Sequence, residues 1–237
     1  MLETPFDLTE IVNHLVTEDD EPVDSVLSEK QQRLLTEPLY SSWTPPPDED
    51  EPDKPRVFWA GANIGIFQSV HQQPLAPDAF LTLDIEAPED PRDSQRRSYF
   101  VWEFGKVPEV VVEIVSNRKG GELKKKLKDY AVMGVMYYVV YDPFHELKED
   151  ELRVYEIGFG KRYRRRSDYK LPEVGLSLTL WQGSYEKTES LWLRWCDAEG
   201  NLIPTGAERA DRAEAEVERL RAELARLKRS TSGKRAK

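Results

Sequence analysis

A glutamate stands inside a short run of branched apolar residues near the middle of the chain. The run reads Val-Val-Val-Glu-Ile-Val over residues 110–115, follows Pro108 and ends before Ser116 and Asn117. Short β-branched runs with turn-forming residues at both ends are typical of buried strands. Burying an ionised carboxylate costs several kcal/mol unless it is paired, hydrogen-bonded or bound to a metal. Glu113 therefore needs an internal salt bridge, an outlet to solvent at the strand end, or a metal ion.

The residues that follow this strand predict a helix and then a second strand. The helical segment is GELKKKLKDYAVMG, residues 121–134, which starts at a pair of glycines and stops at Gly134. The next segment, MYYVVYDP at 136–143, is again apolar and β-branched. Strand, helix and strand thus follow one another inside a chain whose other apolar segments also predict strands.

Four zones are expected along the chain. Residues 1–56 contain a predicted helix, VLSEKQQRLLTEPLYSSW, and a linker rich in proline and acidic residues. Residues 57–183 form the core, where most predicted strands lie. Residues 184–205 form a tryptophan-rich extension in which Trp192, Leu193 and Trp195 pack back onto the core. Residues 206–237 form a C-terminal helix with a basic tail.

The C-terminal helix carries the pattern of a coiled coil. Its apolar residues alternate spacings of three and four, as heptad positions a and d do: Ala210, Ala213, Val217, Leu220, Leu224 and Leu227. The same register puts Glu216 and Glu223 at g, and Arg221 and Lys228 at e, so opposite charges would meet in a parallel partner. A helix of this length is marginal alone. The pattern predicts a homodimer or a protein partner, with a free solvated helix as the alternative.

Charge and cysteine usage limit the partners and the compartment. The formal net charge is −10, with a pI of about 5.0, which argues against a nonspecific nucleic-acid coat. One basic segment, KRYRRR at 161–166, could follow a nucleic-acid backbone or could be a charged edge strand. Cys196 is the only cysteine, and no apolar run approaches the roughly 20 residues that span a bilayer. We expect a cytoplasmic protein without membrane contact.

Two carboxylates and a lysine are the candidate site. Strand alternation puts Glu113 on the face of Val111 and Val115. Asp78 follows Pro77 at the entrance of another apolar strand, and the two carboxylates would converge if these strands are neighbours. On the predicted helix, Lys124 and Lys126 flank the apolar stripe on opposite sides, and their angles do not decide between them.

This combination suits metal-assisted hydrolysis of phosphodiesters. Mg²⁺ prefers oxygen ligands and keeps several waters. The ion offsets phosphate charge and lowers the pKa of a bound water, while a lysine orients that water or stabilises the developing charge. A surface salt bridge between Glu122 and Lys126 is the simpler structural reading of the helix.

The order of these motifs resembles the Uma-type (Uma-two) endonucleases, a branch of the restriction-endonuclease-like PD-(D/E)xK superfamily. The resemblance rests on APD at 76–78, PEVVVEIVS at 108–116 and ELKKKLKDYAVMGVMYYVVYDP at 122–143. It covers most of the core, 57–183. It implies an α/β fold, with a restriction-endonuclease-like core in which helices flank a central mixed β-sheet. It also implies metal-dependent nuclease activity with Mg²⁺, or Mn²⁺, as cofactor.

The resemblance also assigns residues. Asp78 corresponds to the PD aspartate, Glu113 to the (D/E) position, and both would hold the metal. The superfamily lysine is absent from the strand, because Val115 stands where it would be, and the Uma-type pattern puts Lys126 of the helix in its place. Glu37 of the preceding helix is a further possible acidic ligand.

The leading hypothesis is a Mg²⁺-dependent endonuclease that hydrolyses phosphodiester bonds of DNA, with Asp78, Glu113 and Lys126 as catalytic residues. The alternative is a catalytically inactive nuclease-fold protein that binds or scaffolds partners through its C-terminal coiled coil. RNA as the substrate would use the same site, and sequence alone does not separate it from DNA.

Overall fold

The computed structural model describes residues 25–48, 50–90, 93, 96–116 and 122–234, with the backbone alone for Glu122 and residues 227–234. Residues 1–24 of the predicted N-terminal zone and residues 117–121 lie outside the described residues. In chain order the helices are α1 (Val26–Ser42), α2 (Val101–Phe104), α3 (Leu127–Met133) and α4 (Gly206–Lys234). A π-helical turn, Glu122–Lys126, precedes α3, and a 3₁₀ turn spans Pro172–Val174.

The apolar runs of the sequence become strands. They are β1 (Phe58–Gly61), β2 (Ile66–Phe67), β3 (Ala79–Leu83), β4 (Tyr99–Phe100), β5 (Val110–Ile114), β6 (Tyr137–Tyr141), β7 (Leu152–Gly158), β8 (Arg162–Arg165), β9 (Lys170–Leu171), β10 (Leu176–Tyr185) and β11 (Thr188–Asp197). Six of them form a central sheet in the order β1-β3-β5-β6-β7-β8. Among the described strands of this central sheet, only β5 and β6 pair in parallel, and the remaining neighbours are antiparallel, so the sheet is mixed, as predicted.

The parallel pair is the strand-helix-strand unit that the sequence indicated. A parallel connection must cross over a sheet face, and the segment of the π-helical turn and α3 makes that crossing between β5 and β6. This segment ends at Gly134, whose φ of 102° is accessible to glycine at low cost. The crossover therefore lays α3 against one face of the sheet, directly beside β5.

The two faces of the central sheet bury different partners. One face carries Val110 and Val112 and packs against α1 and the three-stranded sheet β11-β10-β9. The other face carries Val111 and Val115 and packs against α3 and against an aromatic group around Tyr99. Because side chains alternate along a strand, Glu113 belongs to the second face, under α3.

Helix α1 confirms the helix predicted near the N-terminus. Ser25 caps it, since its hydroxyl oxygen accepts a hydrogen bond from the Ser28 backbone N–H at 3.0 Å. Leu34, Leu35 and Leu39 are buried on its inner side, as are Gln31 and Gln32. The inner side of α1 thus carries two amide side chains into the interior.

Residues 176–197 form one long hairpin, β10 and β11, across the expected boundary at 183/184. Gly183 lies inside β10, so the tryptophan-rich segment continues the same sheet. This segment packs onto the core: Trp192 and Trp195 are buried, and Trp195 Nε1 donates to the Leu35 carbonyl at 2.9 Å. The β10–β11 hairpin and α1 therefore pack against each other on the same face of the central sheet.

Local structure departs from the sequence patterns at two places. The segment SYFVWEFG, residues 98–105, is apolar like the strands, but only Tyr99 and Phe100 form a strand, and a short helix, α2, follows. The predicted regular helix at 121–134 instead begins with the π-helical turn. None of the helices within the described ranges is both long and apolar enough to cross a bilayer.

Candidate functional site

Glu113 occupies the fourth position of β5, with both neighbouring strands in place. It pairs across to Val140 of β6 on one side, and β3 lies on the other. Its side chain is only 1% exposed. The Glu113 carboxylate therefore does not reach solvent at the end of the strand. Its ionised form must be stabilised by the groups around it.

Two donors from one helix hold the Glu113 carboxylate. Lys126 Nζ lies 2.7 Å from Oε2, and the Tyr130 hydroxyl donates to Oε1 at 2.9 Å. Lys126 and Tyr130 are four residues apart, so they share one side of the helix that crosses over β5. Each carboxylate oxygen thereby receives one donor from the same helical face.

The surroundings shift the pKa values of Glu113 and Tyr130. Burial raises the pKa of Glu113 to about 7, and the charge of nearby Asp78 adds to the rise, while Lys126 and Tyr130 oppose it. Burial also raises the pKa of Tyr130 well above its usual value, with the Glu113 charge as a further cause. Tyr130 therefore acts as a hydrogen-bond donor throughout the neutral pH range.

Asp78 stands beside Glu113 because of the strand register. Ala79 of β3 pairs antiparallel with Val112 of β5, so the next pair along the ladder is Asp78 and Glu113. Asp78 Oδ2 accepts the backbone N–H of Ile114 at 2.7 Å. Asp78 therefore lies just before β3, beside the position of Glu113 on β5. The two carboxylates are close together, as the sequence led us to expect.

Helix α1 adds an amide that sequence reasoning did not assign. Gln32 Nε2 donates to Asp78 Oδ1 at 2.9 Å, and Gln32 Oε1 accepts from Asn63 Nδ2 at 3.0 Å. Gln32 is 7% exposed. The sequence offered one indication that Gln32 is buried: it lies on the same side of α1 as Leu35 and Leu39. Asp78 is thereby held by a side chain and by a backbone amide.

The structure decides which of the two lysines, Lys124 or Lys126, lies at the carboxylates, a choice that the helix angles did not settle. Lys126 is 32% exposed and ion-paired to Glu113, whereas Lys124 is exposed. Glu37 does not join the two carboxylates, since its Oε1 accepts the Gly206 N–H at 2.9 Å at the start of α4. The carboxylates that the described residues bring together are those of Asp78 and Glu113.

The π-helical turn ends at Lys126, where the regular helix α3 begins. A π turn is wider than an α turn and is found mostly as single turns, often at functional sites. The junction places Lys126 on the last wide turn and Tyr130 on the first regular one. This local feature sets the lysine over the sheet, and the residue pattern alone did not indicate it.

The donor set suits a hard cation held with few protein ligands. Within the described ranges, no group of three or more acidic, histidine or cysteine side chains is placed to hold a metal ion. Asp78 and Glu113 supply two carboxylates, and Mg²⁺ commonly uses one or two carboxylates and keeps several waters. The residues present therefore fit Mg²⁺ or Mn²⁺ better than zinc, which in structural sites takes four nitrogen, sulfur or carboxylate ligands.

The basic segment lies at the edge of the central sheet, away from the carboxylates. It forms β8, which pairs only with β7 in the described sheet. Two of its arginines are paired within the chain, Arg165 with Asp150 and Arg166 with Glu156. Arg162 and Arg164 are exposed. Charge on an edge strand is the simpler explanation of this segment.

Comparison with known proteins identifies the family of the chain. The sequence model of the Uma2 family, described as "Putative restriction endonuclease", matches residues 22–182. No curated protein matches the chain. The matched range extends from α1 to β10 and includes Gln32, Asp78, Glu113 and Lys126. The chain belongs to the Uma2 family, and the predicted resemblance is confirmed.

Proposed function

We propose that this member of the Uma2 family is an endonuclease that hydrolyses phosphodiester bonds of DNA with the help of Mg²⁺ or Mn²⁺. The observation that carries the proposal is the placement of Asp78 and Glu113 side by side on neighbouring strands, with Lys126 at one of them. A plain structural salt bridge would need one acid and one lysine. Burial is the main cause of the raised pKa of Glu113, the nearby charge of Asp78 adds to it, and a cation shared by the two acids would relieve their repulsion.

Asp78 and Glu113 would hold the ion. Such an ion supplies charge neutralisation for the phosphate and a water of lowered pKa. The protein contributes fixed positions for the carboxylates, because Gln32 and the Ile114 N–H bind Asp78 while Tyr130 binds Glu113. Donors placed before the reaction cost no reorganisation when the reaction occurs.

Lys126 is the group with access to the reacting phosphate. Its ammonium lies at the Glu113 carboxylate, yet a third of its side chain remains exposed. From there it can donate a hydrogen bond to a phosphate oxygen or to the attacking water, and its charge stabilises the negative charge of the transition state. Tyr130 and Gln32 are buried and act as positioning residues.

The test is cleavage of supercoiled plasmid and of single-stranded DNA with Mg²⁺, with Mn²⁺ and with EDTA. We expect nicking that needs the metal and falls by roughly 100-fold or more in Asp78→Asn, Glu113→Gln and Lys126→Met. Lys124→Met is the matched control, because it removes an exposed lysine from the same helical segment, and it should cleave normally. Single-stranded RNA tested in parallel decides between the two nucleic acids.

A second candidate function is an inactive nuclease fold that binds or scaffolds a partner. One observation favours it: the described residues bring together two carboxylates and no third acid. This candidate predicts no cleavage and no calorimetric signal for Mg²⁺ or Mn²⁺ in the wild-type protein. Metal binding that Asp78→Asn abolishes would exclude it, even if a cleavable substrate had not been found.

A further inference from the structure

We propose that α4 joins two copies of the chain in a parallel, in-register coiled coil. The first support is an uncovered apolar stripe. Val217, Leu220 and Leu224 are 45%, 46% and 57% exposed, and every residue at 209–226 is exposed. These three residues lie at successive a and d positions of one heptad register. Single exposed apolar residues are ordinary, but a periodic stripe along a helix indicates a partner helix.

The base of α4 is held firmly, so the stripe projects from the core in a defined direction. Glu208 Oε1 and Oε2 receive Arg194 Nη1 and Nη2 at 2.8 and 2.7 Å. Arg194 is 1% exposed. Thr205 and Glu208 also form a reciprocal capping box, with hydrogen bonds of 2.8 and 3.1 Å. Glu37 of α1 binds the Gly206 N–H.

Charge complementarity identifies the partner as a second copy. The residues at g are Arg209, Glu216 and Glu223, and those at e five residues later are Glu214, Arg221 and Lys228. In a parallel dimer each g residue meets the following e residue of the other copy. Each of the three g–e pairs then joins opposite charges. Each pair occurs twice in the dimer because of its two-fold symmetry.

An antiparallel arrangement is disfavoured by the same residues. In antiparallel pairs g faces g and e faces e, so a central register would oppose Glu216 to Glu216 and Arg221 to Arg221, whereas the parallel register contains no g–e pair of like charge. The apolar positions agree with two strands, because Val217 lies at a and Leu220 at d, the combination that favours parallel dimers. In the single chain, Glu216 instead pairs with Arg219 on its own helix, at 2.6 Å.

Sedimentation equilibrium of the full-length protein over a range of concentrations tests the proposal. We expect a reversible monomer-dimer equilibrium that Leu220→Glu abolishes. Glu216→Arg should weaken the dimer roughly tenfold, since it turns two attractive pairs into repulsive ones. Adding Arg221→Glu to Glu216→Arg restores opposite charges only in a parallel, in-register dimer, and the affinity should return.

Glu218→Arg is the matched control. It makes the same charge change at an exposed b position of the same helix and should leave the dimer unchanged. Circular dichroism confirms that the variants keep their helix content. A monomer at every concentration would overturn the proposal. A dimer whose affinity is unchanged by Leu220→Glu would also overturn it. The same holds if Glu216→Arg weakens the dimer and adding Arg221→Glu does not restore the affinity. The readout does not involve cleavage, so the proposal stands or falls independently of the nuclease.

Discussion

Gln32 of α1 donates a 2.9 Å hydrogen bond to Asp78, a residue 46 positions further along the chain. This bond ties the N-terminal helix to the two carboxylates on β3 and β5. Gln32 also exchanges hydrogen bonds with Asn63, in the connection between β1 and β2. One buried amide therefore holds both Asn63 and Asp78 in place. Its neighbour Gln31 is also buried but binds the backbone of Leu193 instead.

The two adjacent glutamines make a matched pair of substitutions. Gln32→Met and Gln31→Met should each destabilise the protein by about 1–3 kcal/mol, because each leaves buried polar partners without a hydrogen bond. Cleavage, compared at equal folded fraction, should fall only in Gln32→Met, since only Gln32 positions Asp78. Urea denaturation and the plasmid assay measure the two effects. Equal loss of cleavage in both variants would remove the positioning role.

Tyr130→Phe should lower stability by about 1.5–3 kcal/mol at pH 8, because it removes a donor from an ionised, buried carboxylate. Tyr137→Phe is the control. Tyr137 is also buried, and its hydroxyl has no hydrogen-bond partner among the residues that the structure describes. Removing that hydroxyl should be neutral or slightly stabilising. Chemical denaturation of both variants gives the comparison, and similar costs for both would contradict the assigned contact.

Glu113 makes stability depend on pH in the metal-free protein. Its pKa rises from 4.5 to about 7 on folding, so between these values the folded state holds a proton that the unfolded state releases. The free energy of unfolding should therefore fall as pH rises from about 4.5 to about 7, by about 3 kcal/mol in total. Glu113→Gln lacks this contribution.

The quantity to measure is the difference between wild type and Glu113→Gln in urea denaturation with EDTA. Other titrating groups are common to both proteins and cancel in the difference. A difference that stays constant from pH 4.5 to pH 8 would show that Glu113 keeps its ordinary pKa.

Glu208→Ala should cost about 3 kcal/mol, because it leaves the buried guanidinium of Arg194 without its carboxylate and also opens the capping box. Glu218→Ala, on the exposed part of the same helix, should cost little. The Arg194 hydrogen bonds lower the pKa of Glu208, so this contribution is present above about pH 4.5 and is lost as the pH falls below it. Thermal unfolding at several pH values checks both statements.

The sequence predicted the elements that hold Asp78 and Glu113 because apolar periodicity fixes strand faces. The run at 110–115 had to be a strand, and its alternation put Glu113 on the face of Val111 and Val115. Family resemblance then favoured Lys126, and the structure brings Lys126 to Glu113. The catalytic and metal-binding roles of these residues stay predictions.

What sequence reasoning missed depends on tertiary contacts between distant segments. Tyr130 follows Lys126 by four residues on its helix, and nothing local indicated that its hydroxyl would contact Glu113. Gln32 resembled any polar residue of an amphipathic helix. The π-helical turn was also missed, because helix propensity does not distinguish a wide turn from a regular one.

Helix α1 contacts both the carboxylate pair and the base of α4. Gln32 binds Asp78, and Glu37, little more than one turn further on, binds the Gly206 N–H. Both contacts belong to one 17-residue helix, so a single element fixes the positions of Asp78 and of the first residue of α4.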